Sequence, residues 1–287
     1  MATKRQFEKI TINNSPEIQK AICDDISTVM KRIWEFSLLQ NGNNRSSAKT
    51  DLLHNSWSNI FINSFGDYGD LFNDNFQLTV EKEKIGKNTT SQIKGIIDIF
   101  GNTFKVDMLL TNEQKPHTIY LLKAPLTSIN KNRYNSALNL FGEIQRFYGN
   151  PQNIDVELVF VNFTPKETFT RNENKDLKRE VVQYLGLNRD DKGGCPLSKL
   201  PISDEIKKNI HEIHIEYEIN LDFLEIRDED TLNNLIKTTP NFISVKNESL
   251  DDLKIYIKKF IDRNNHILNI AENKVDDCQP HQLRFKF

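Results

Sequence analysis

The ten residues from Ile154 to Phe163 constrain the fold of this chain more than any other stretch of the sequence. They read IDVELVFVNF and are almost continuously apolar. This is the pattern of a strand that is buried on both faces, not of a strand with one solvated side. Such a strand lies in a sheet that helices cover, so the run predicts an α/β fold.

Three shorter strands are predicted before this buried one. They cover residues 93–99 (IKGIIDI), 103–110 (TFKVDMLL) and 117–124 (HTIYLLKA). Gly101-Asn102 is suited to a tight turn between the first two strands, and Pro125 ends the third. A helix at about 133–148 follows, with one apolar face and a stop at Gly149. The predicted order is therefore strand, strand, strand, helix, buried strand.

Further helices and one strand are predicted on either side of this region. The predicted helices cover 16–36, about 47–63 and about 250–270. Residues 1–75 are expected to form a helical N-terminal subregion, and residues 200–287 a long alternating strand, 213–223, followed by the last helix. No repeat or low-complexity linker divides the chain. We predict a single α/β domain over 1–287, with a central mixed sheet, flanking helices and a core at 90–165.

The charge of the chain restricts how it can bind nucleic acid. Thirty-eight Lys and Arg residues nearly balance 40 Asp and Glu residues, for a net charge of −2. This excludes binding by bulk positive charge. The charge is nevertheless uneven, because 84–133 holds eight basic and three acidic residues and 201–280 holds ten basic and 17 acidic residues. Two interpretations of this uneven charge stay open: a local basic face that binds an anionic partner, and ordinary variation of the surface.

The cysteines and the hydropathy indicate a protein of the reducing cytoplasm. Cys23, Cys195 and Cys278 are far apart and odd in number, so they predict neither a disulfide framework nor a metal-binding pair. No apolar run approaches the roughly 18 residues of a membrane span. Residues 1–15 lack the apolar centre of a signal peptide. We therefore expect a cytoplasmic protein without membrane attachment.

Three charged residues of the central region are candidates for catalysis: Asp107, Lys123 and Glu143. Residues of equal parity share a face of a strand, so Asp107 and Lys123 can meet at one end of two paired strands. Glu143 lies on a polar strip of the following helix and can lean over the same end. Carboxylates beside a lysine suit phosphodiester hydrolysis, in which Mg²⁺ activates water and a cation stabilises the attacked phosphate.

Other chemistries find less support in the sequence. It contains no GxxxxGK[ST], GxGxxG or GxSxG motif. Its six histidines show no metal-ligand spacing.

The strand order, together with Val106-Asp107 and Leu121-Leu122-Lys123-Ala124, resembles the PD-(D/E)xK nuclease superfamily, and within it the type II restriction endonucleases. The resemblance covers about residues 90–165. It implies Mg²⁺-dependent cleavage of double-stranded DNA at a short specific site by a homodimer, with a cognate DNA methyltransferase as genetic partner. It also implies that Asp107 binds the metal, that Leu122 offers its backbone carbonyl, and that Lys123 is the catalytic lysine.

The sequence departs from the superfamily pattern at two positions. Val106 stands where proline is usual, and Leu121 stands where the second acidic residue is expected. A leucine cannot bind a metal, so the second carboxylate has to come from elsewhere. Glu143 is the first candidate for that ligand, although it lies farther from the lysine than the usual pattern. The rivals are Glu81, Glu83 and Asp98.

Polar and basic residues on two predicted loops are candidates for DNA contacts. They are Lys87, Asn88, Lys94, Asn130, Lys131, Asn132 and Arg133. Two alternatives to a restriction enzyme stay open at this point. One is a repair or recombination nuclease of the same fold without strict specificity. The other is a catalytically inactive DNA-binding protein on that scaffold, which the leucine at 121 favours.

Overall fold

The structure is a computed structural model, and it describes residues 16–39, 48–81, 93–126, 129–171, 176–187, 197–221 and 226–268. Its helices are α1 (Pro16–Leu39), α2 (Ala48–Asn63), α3 (Gly69–Asn75), α4 (Ile129–Tyr148), α5 (Asp204–Lys208), α6 (Glu229–Thr238) and α7 (Asp251–Arg263). Its strands are β1 (Gln77–Val80), β2 (Met108–Asn112), β3 (Lys115–Lys123), β4 (Glu157–Pro165), β5 (Glu167–Arg171), β6 (Leu177–Val181), β7 (Ile210–Ile219) and β8 (Ile243–Ser244).

Six strands form one mixed sheet in the order β1-β2-β3-β4-β7-β8. The first three strands are antiparallel neighbours, β3, β4 and β7 run parallel, and β8 returns antiparallel at the end of β7. Helix α4 connects β3 to β4, as a parallel pair requires a crossover. Strands β5 and β6 form a separate hairpin. The prediction of an α/β fold with a central mixed sheet flanked by helices is confirmed.

Strand β4 lies in the middle of the sheet and is buried along its whole length. Three of its odd-numbered residues, 159, 161 and 163, pack in one core with the N-terminal helices, α6 and α7, where Trp34, Trp57, Tyr217 and Phe260 are fully buried. Two of its even-numbered residues, 158 and 160, pack against α4 in a second core. The apolar run of β4 therefore serves two cores, one on each face of the sheet.

The prediction of a strand at residues 93–99 is wrong. Residues 93–107 run between β1 and β2 and make only one isolated bridge, Ile97 with Thr103. The apolar residues of this segment are nevertheless buried, because Ile93, Ile96, Phe104 and Val106 pack into the core beneath α4. The edge strand is instead β1, which lies before the predicted core at 90–165.

Several other boundaries differ from the prediction. The second predicted strand, 103–110, begins only at Met108, and the last long strand ends at Ile219 instead of 223. The helix expected at about 133–148 begins at Ile129, so residues 130–133 belong to its first turns. The residues expected to form a basic loop are therefore helical.

Candidate active site

Asp107 is held at the point where β2 and β3 separate. Its backbone N–H donates to the carbonyl of Tyr120 (3.1 Å), and its Oδ2 accepts a 2.6 Å hydrogen bond from the N–H of Leu122. The carboxylate therefore replaces a backbone acceptor at the end of the strand pair. Its side chain is 27% exposed, so it borders solvent while remaining fixed to β3.

Lys123 is the last residue of β3 and extends beyond the core beneath α4. Ile119 and Leu121, which share its parity, are buried in that core. Its Nζ donates to Oε1 of Glu143 at 3.0 Å, and the two side chains are 42% and 26% exposed. The helix that follows the predicted lysine thus brings Glu143 into direct contact with it.

The remaining acceptor of this ion pair is buried without a partner. Oε2 of Glu143 has essentially no solvent contact and no hydrogen bond within the part of the chain that the structure describes. A buried carboxylate oxygen without a donor is costly, and native structures rarely keep one without a reason. It is a hard oxygen of the type that Mg²⁺ prefers.

Leu121 stands where the resemblance to the nucleases predicts a second acidic residue, and this position is buried. Its side chain is 3% exposed and packs against α4 with Ile144 and Phe160. A carboxylate at this position would be buried among apolar groups at a large desolvation cost. Leu122 points to the opposite core, and its backbone contributes to the site by fixing Asp107.

A cavity of about 530 Å³ opens beside Lys123 and Glu143. It lies between the end of β3, helix α4 and the segment 183–185, and Arg133, Arg146 and Asn162 also line it. Asp107 is not among its lining residues. Two arginines and a lysine thus line the cavity, and of these Lys123 is paired with Glu143 and Arg146 with Asp98.

Glu212 on β7 holds the wall of this cavity in place. Its carboxylate accepts hydrogen bonds from Asn162 Nδ2 (3.0 Å), the Leu187 N–H (2.7 Å) and the Tyr184 hydroxyl. Gly186 packs closely on this carboxylate, since a Cβ there would lie 2.6 Å from Oε2 of Glu212 and would displace it. The acid therefore has a structural function.

Asp98, Glu81 and Glu83 are the alternative candidates for the second metal ligand, and the structure describes two of them. Asp98 accepts from Arg146, Phe100 N–H and Asn102 N–H, and these hydrogen bonds, the one from Arg146 first, hold the pKa of its carboxyl below the usual range. Glu81 lies opposite Asp107, since its N–H donates to the Asp107 carbonyl at 3.0 Å. Glu83 lies outside the described residues. Glu81 is thus the rival placed nearest to Asp107 by backbone pairing.

The predicted DNA-binding residues fall into three groups. Lys87 and Asn88 lie outside the described residues, whereas Lys94, Lys131 and Asn132 are exposed. Asn130 is committed to the protein, because its side-chain amide bonds the carbonyl of Val181 and the N–H of Gln183. Arg133 donates to the side chain of Gln183 and lines the cavity.

His54 was not predicted as part of the site. It lies on the buried face of α2, and its Nε2 is 3.2 Å from Oδ1 of Asp107 without a hydrogen-bond partner among the described residues. One sequence signal was available, since His54, Trp57 and Phe61 follow i, i+3, i+7 and place a polar ring on an apolar helix face.

Within the described ranges, no three His, Cys, Asp or Glu side chains form a group that could hold a metal ion. Mg²⁺ is commonly bound by only one or two carboxylates together with water and substrate phosphate. No helix in the described part of the chain is long and apolar enough to cross a membrane.

The chain matches no protein-family model, no curated protein and no solved structure with which it was compared.

Proposed function

We propose that this chain is a Mg²⁺-dependent endonuclease of the PD-(D/E)xK type that cuts double-stranded DNA at a short specific site. One observation carries the proposal. Asp107 is hydrogen-bonded to the backbone directly before Lys123, and Lys123 is ion-paired with Glu143, at the end of three antiparallel strands followed by a crossover helix.

Each of these residues has a distinct task in the proposed reaction. Lys123 is half exposed beside an arginine-lined cavity, so its ammonium can face the attacked phosphate and the incoming water. Glu143 holds that ammonium through one oxygen and keeps the other for a cation. Asp107 is oriented by the Leu122 N–H, which fixes its carboxylate before substrate arrives.

The proposed cation is Mg²⁺, held by Asp107, Glu143 and the backbone carbonyl of Leu122. When bound, it would activate a water molecule and neutralise charge on the phosphate. The unpartnered Oε2 of Glu143 supports this ligand set.

The wider setting belongs to the same proposal. A restriction enzyme of this type works in the cytoplasm as a homodimer, because a two-fold protein matches a symmetric DNA site. A methyltransferase that modifies the same site would protect the host DNA. The exposed Lys94, Lys131 and Asn132, with Arg133 at the cavity, are the DNA contacts we propose among the described residues.

A plasmid assay tests this function directly. The purified protein is incubated with several plasmids of known sequence in Mg²⁺, and a parallel reaction contains EDTA. Discrete fragments that appear only with Mg²⁺ would support the proposal. A smear would indicate a nuclease without strict specificity.

A catalytically inactive DNA-binding protein is the second candidate, and one observation favours it. Leu121 occupies the usual acidic position and is buried, and β3 carries no acidic residue that could supply the second carboxylate. Retention of plasmid on a filter without any cutting in Mg²⁺ would support this candidate and contradict the first.

A further inference from the structure

A large aromatic side chain stands in solvent close to the proposed site. Phe100 is 73% exposed and Ile99 is 51% exposed, and both belong to the turn formed by residues 99–102, here called the Phe100 turn. Most phenylalanines of the described chain lie in the two cores. An exposed phenylalanine next to an exposed isoleucine is unfavourable in water and calls for a function.

The Phe100 turn is held rigidly by one buried acid. Asp98 is 1% exposed, and its Oδ1 accepts from the N–H groups of Phe100 (2.9 Å) and Asn102 (3.0 Å). Its Oδ2 accepts from Arg146 Nη2 at 2.5 Å. Gly101 supplies the φ of +77° that closes the turn. The aromatic ring is therefore presented on a preformed backbone.

The turn is also anchored to the end of α4. The Ile99 N–H donates to the carbonyl of Arg146 (2.9 Å), and the side-chain amides of Asn150 and Asn153 both donate to the carbonyl of Ile97 (2.9 Å each). Ile99 packs on Gly149, where an added Cβ would lie 2.5 Å from its Cδ1. Because Ile99 rests on the helix, Phe100 is the outermost apolar group.

Basic residues flank this apolar tip along the chain. Lys94 and Lys105 are exposed on the two chain segments that lead to and from the turn, and Arg146 beneath it is 47% exposed. Arg146 also lines the cavity and lies one helical turn from Glu143, a rise of about 4.5 Å along the axis. An exposed apolar tip with basic residues on the adjoining segments is complementary to a stacked, polyanionic ligand.

We infer that the Phe100 turn is a wedge that inserts Phe100 between two base pairs of duplex DNA. This inference rests on the proposed function, since it names how that substrate is gripped next to the cleavage site. The lysines and Arg146 would face the phosphates on either side of the opened step. Inserted apolar side chains partly unstack and unwind the duplex, and the bend brings more of it against the protein.

A closed-circular plasmid reveals unwinding without knowledge of the recognition sequence. The protein is bound to plasmid in Ca²⁺ in place of Mg²⁺, the DNA is relaxed by a metal-independent topoisomerase, and the topoisomers are separated after the protein is removed. Filter binding measures the DNA retained in the same buffer. We expect the wild type to lower the linking number in proportion to the protein added.

Three variants make the experiment specific to the turn. Phe100→Ala should lose the shift in topoisomers yet bind DNA to within about threefold, because phosphate contacts supply most non-specific affinity. Phe100→Leu should keep most of the shift, since leucine also serves as a wedge. Ile255→Ala, which removes a side chain that is 52% exposed on α7, should behave as the wild type.

The results distinguish failure of the proposed wedge from failure of the proposed nuclease function. DNA binding without a wild-type shift, or a shift that persists in Phe100→Ala, would overturn the wedge and leave the nuclease proposal standing. Failure of the wild type to bind DNA would overturn both. A change of oligomeric state in Phe100→Ala on size exclusion, with the shift unaltered, would assign the residue to a protein contact and overturn the wedge.

Discussion

Charged side chains lie at both ends of the central sheet, but they differ in burial and in how completely they are hydrogen-bonded. At the carboxyl end of β3, Lys123 and Glu143 are partly exposed beside a cavity, and one oxygen of Glu143 has no partner among the described residues. At the amino end of β4, Glu157 is 8% exposed, and Arg263 binds both of its oxygens at 2.9 and 3.1 Å.

The amino end is also enclosed by aromatic groups. The hydroxyls of Tyr120 and Tyr256 bond each other at 3.1 Å, and burial raises the pKa of both far above the usual range. Burial likewise raises the pKa of Glu157 despite the neighbouring guanidinium. A charged cluster that is filled and closed stabilises a fold, whereas one that is open and incomplete can accept a ligand. Substitutions at the carboxyl end of β3, the open end, should therefore change DNA cleavage, and substitutions at the amino end of β4, the closed end, should change stability.

The largest effect is expected on DNA cleavage at the open end. Asp107→Asn and Lys123→Ala should each reduce the rate of plasmid cutting by about 10³-fold, or roughly 4 kcal/mol of transition-state stabilisation. Asparagine can still accept the hydrogen bond from the Leu122 N–H, so the fold should be retained. Initial rates in Mg²⁺ and filter binding in Ca²⁺ measure the two quantities separately.

The control for these variants is Lys258→Ala, which removes an exposed lysine on α7, distant in sequence from the proposed site. It should cut at the wild-type rate. Full activity of either Asp107→Asn or Lys123→Ala would refute the proposed catalytic residues.

At the closed end the largest effect should be on stability. Glu157→Ala leaves Arg263 and the Thr118 hydroxyl without their carboxylate, and breaking a buried pair in this way costs about 3–5 kcal/mol. Arg263 is 34% exposed and can reach water, so we expect a loss near 3 kcal/mol in the free energy of unfolding. Urea titration measures it, with the exposed Asp155→Ala as control. A loss equal to that of the control would contradict a structural function for this end.

The closed end should also make the protein sensitive to acid. Burial, with Arg263 and Lys259 nearby, lowers the pKa of His211 to about 3. The unfolded chain therefore binds the proton more tightly than the folded one, and stability falls as the pH drops below the unfolded pKa of about 6.5. Between pH 8 and pH 5 this residue should remove about 2 kcal/mol of unfolding free energy.

A matched variant isolates the contribution of His211. Its Nε2 has no hydrogen-bond partner among the described residues and lies 3.9 Å from Oε2 of Glu157, so His211→Phe keeps an aromatic ring against Tyr256 and removes the titrating group. The variant should lose about 2 kcal/mol less than the wild type between pH 8 and pH 5, by urea titration at each pH. His117 is unchanged in both proteins, so the difference reports His211 together with its contact to Glu157. Parallel pH profiles would contradict the assignment.

The burial of β4 on both faces was predictable from the sequence, because its apolar run is continuous. Strand parity predicted that Asp107 and Lys123 meet at one end of two paired strands. In the structure Asp107 lies just before β2, which begins at Met108, and its carboxylate accepts from the Leu122 N–H. Lys123 is ion-paired with Glu143.

The features that depend on packing between distant segments were not predictable. Residues 93–99 are apolar because they are covered by α4, and burial without pairing has the same sequence pattern as a strand. The approach of His54 to Asp107 depends on how α2 crosses the sheet, which no local pattern shows. The Phe100 turn likewise becomes notable only when its exposure is known.

The smallest effect on stability, and the sharpest contrast with Glu157, is expected at Glu143. Glu143→Ala removes a partly exposed ion pair and a buried oxygen without a partner, so its unfolding free energy should stay within about 0.5 kcal/mol of the wild type. Plasmid cutting should nevertheless fall by about 10²-fold, because the proposed second metal ligand is lost. Unchanged cutting would transfer that role to Glu81, whose backbone pairs with Asp107, or to Glu83. A stability loss as large as that of Glu157→Ala would show that this end, too, is structural, and the distinction between the two ends would fail.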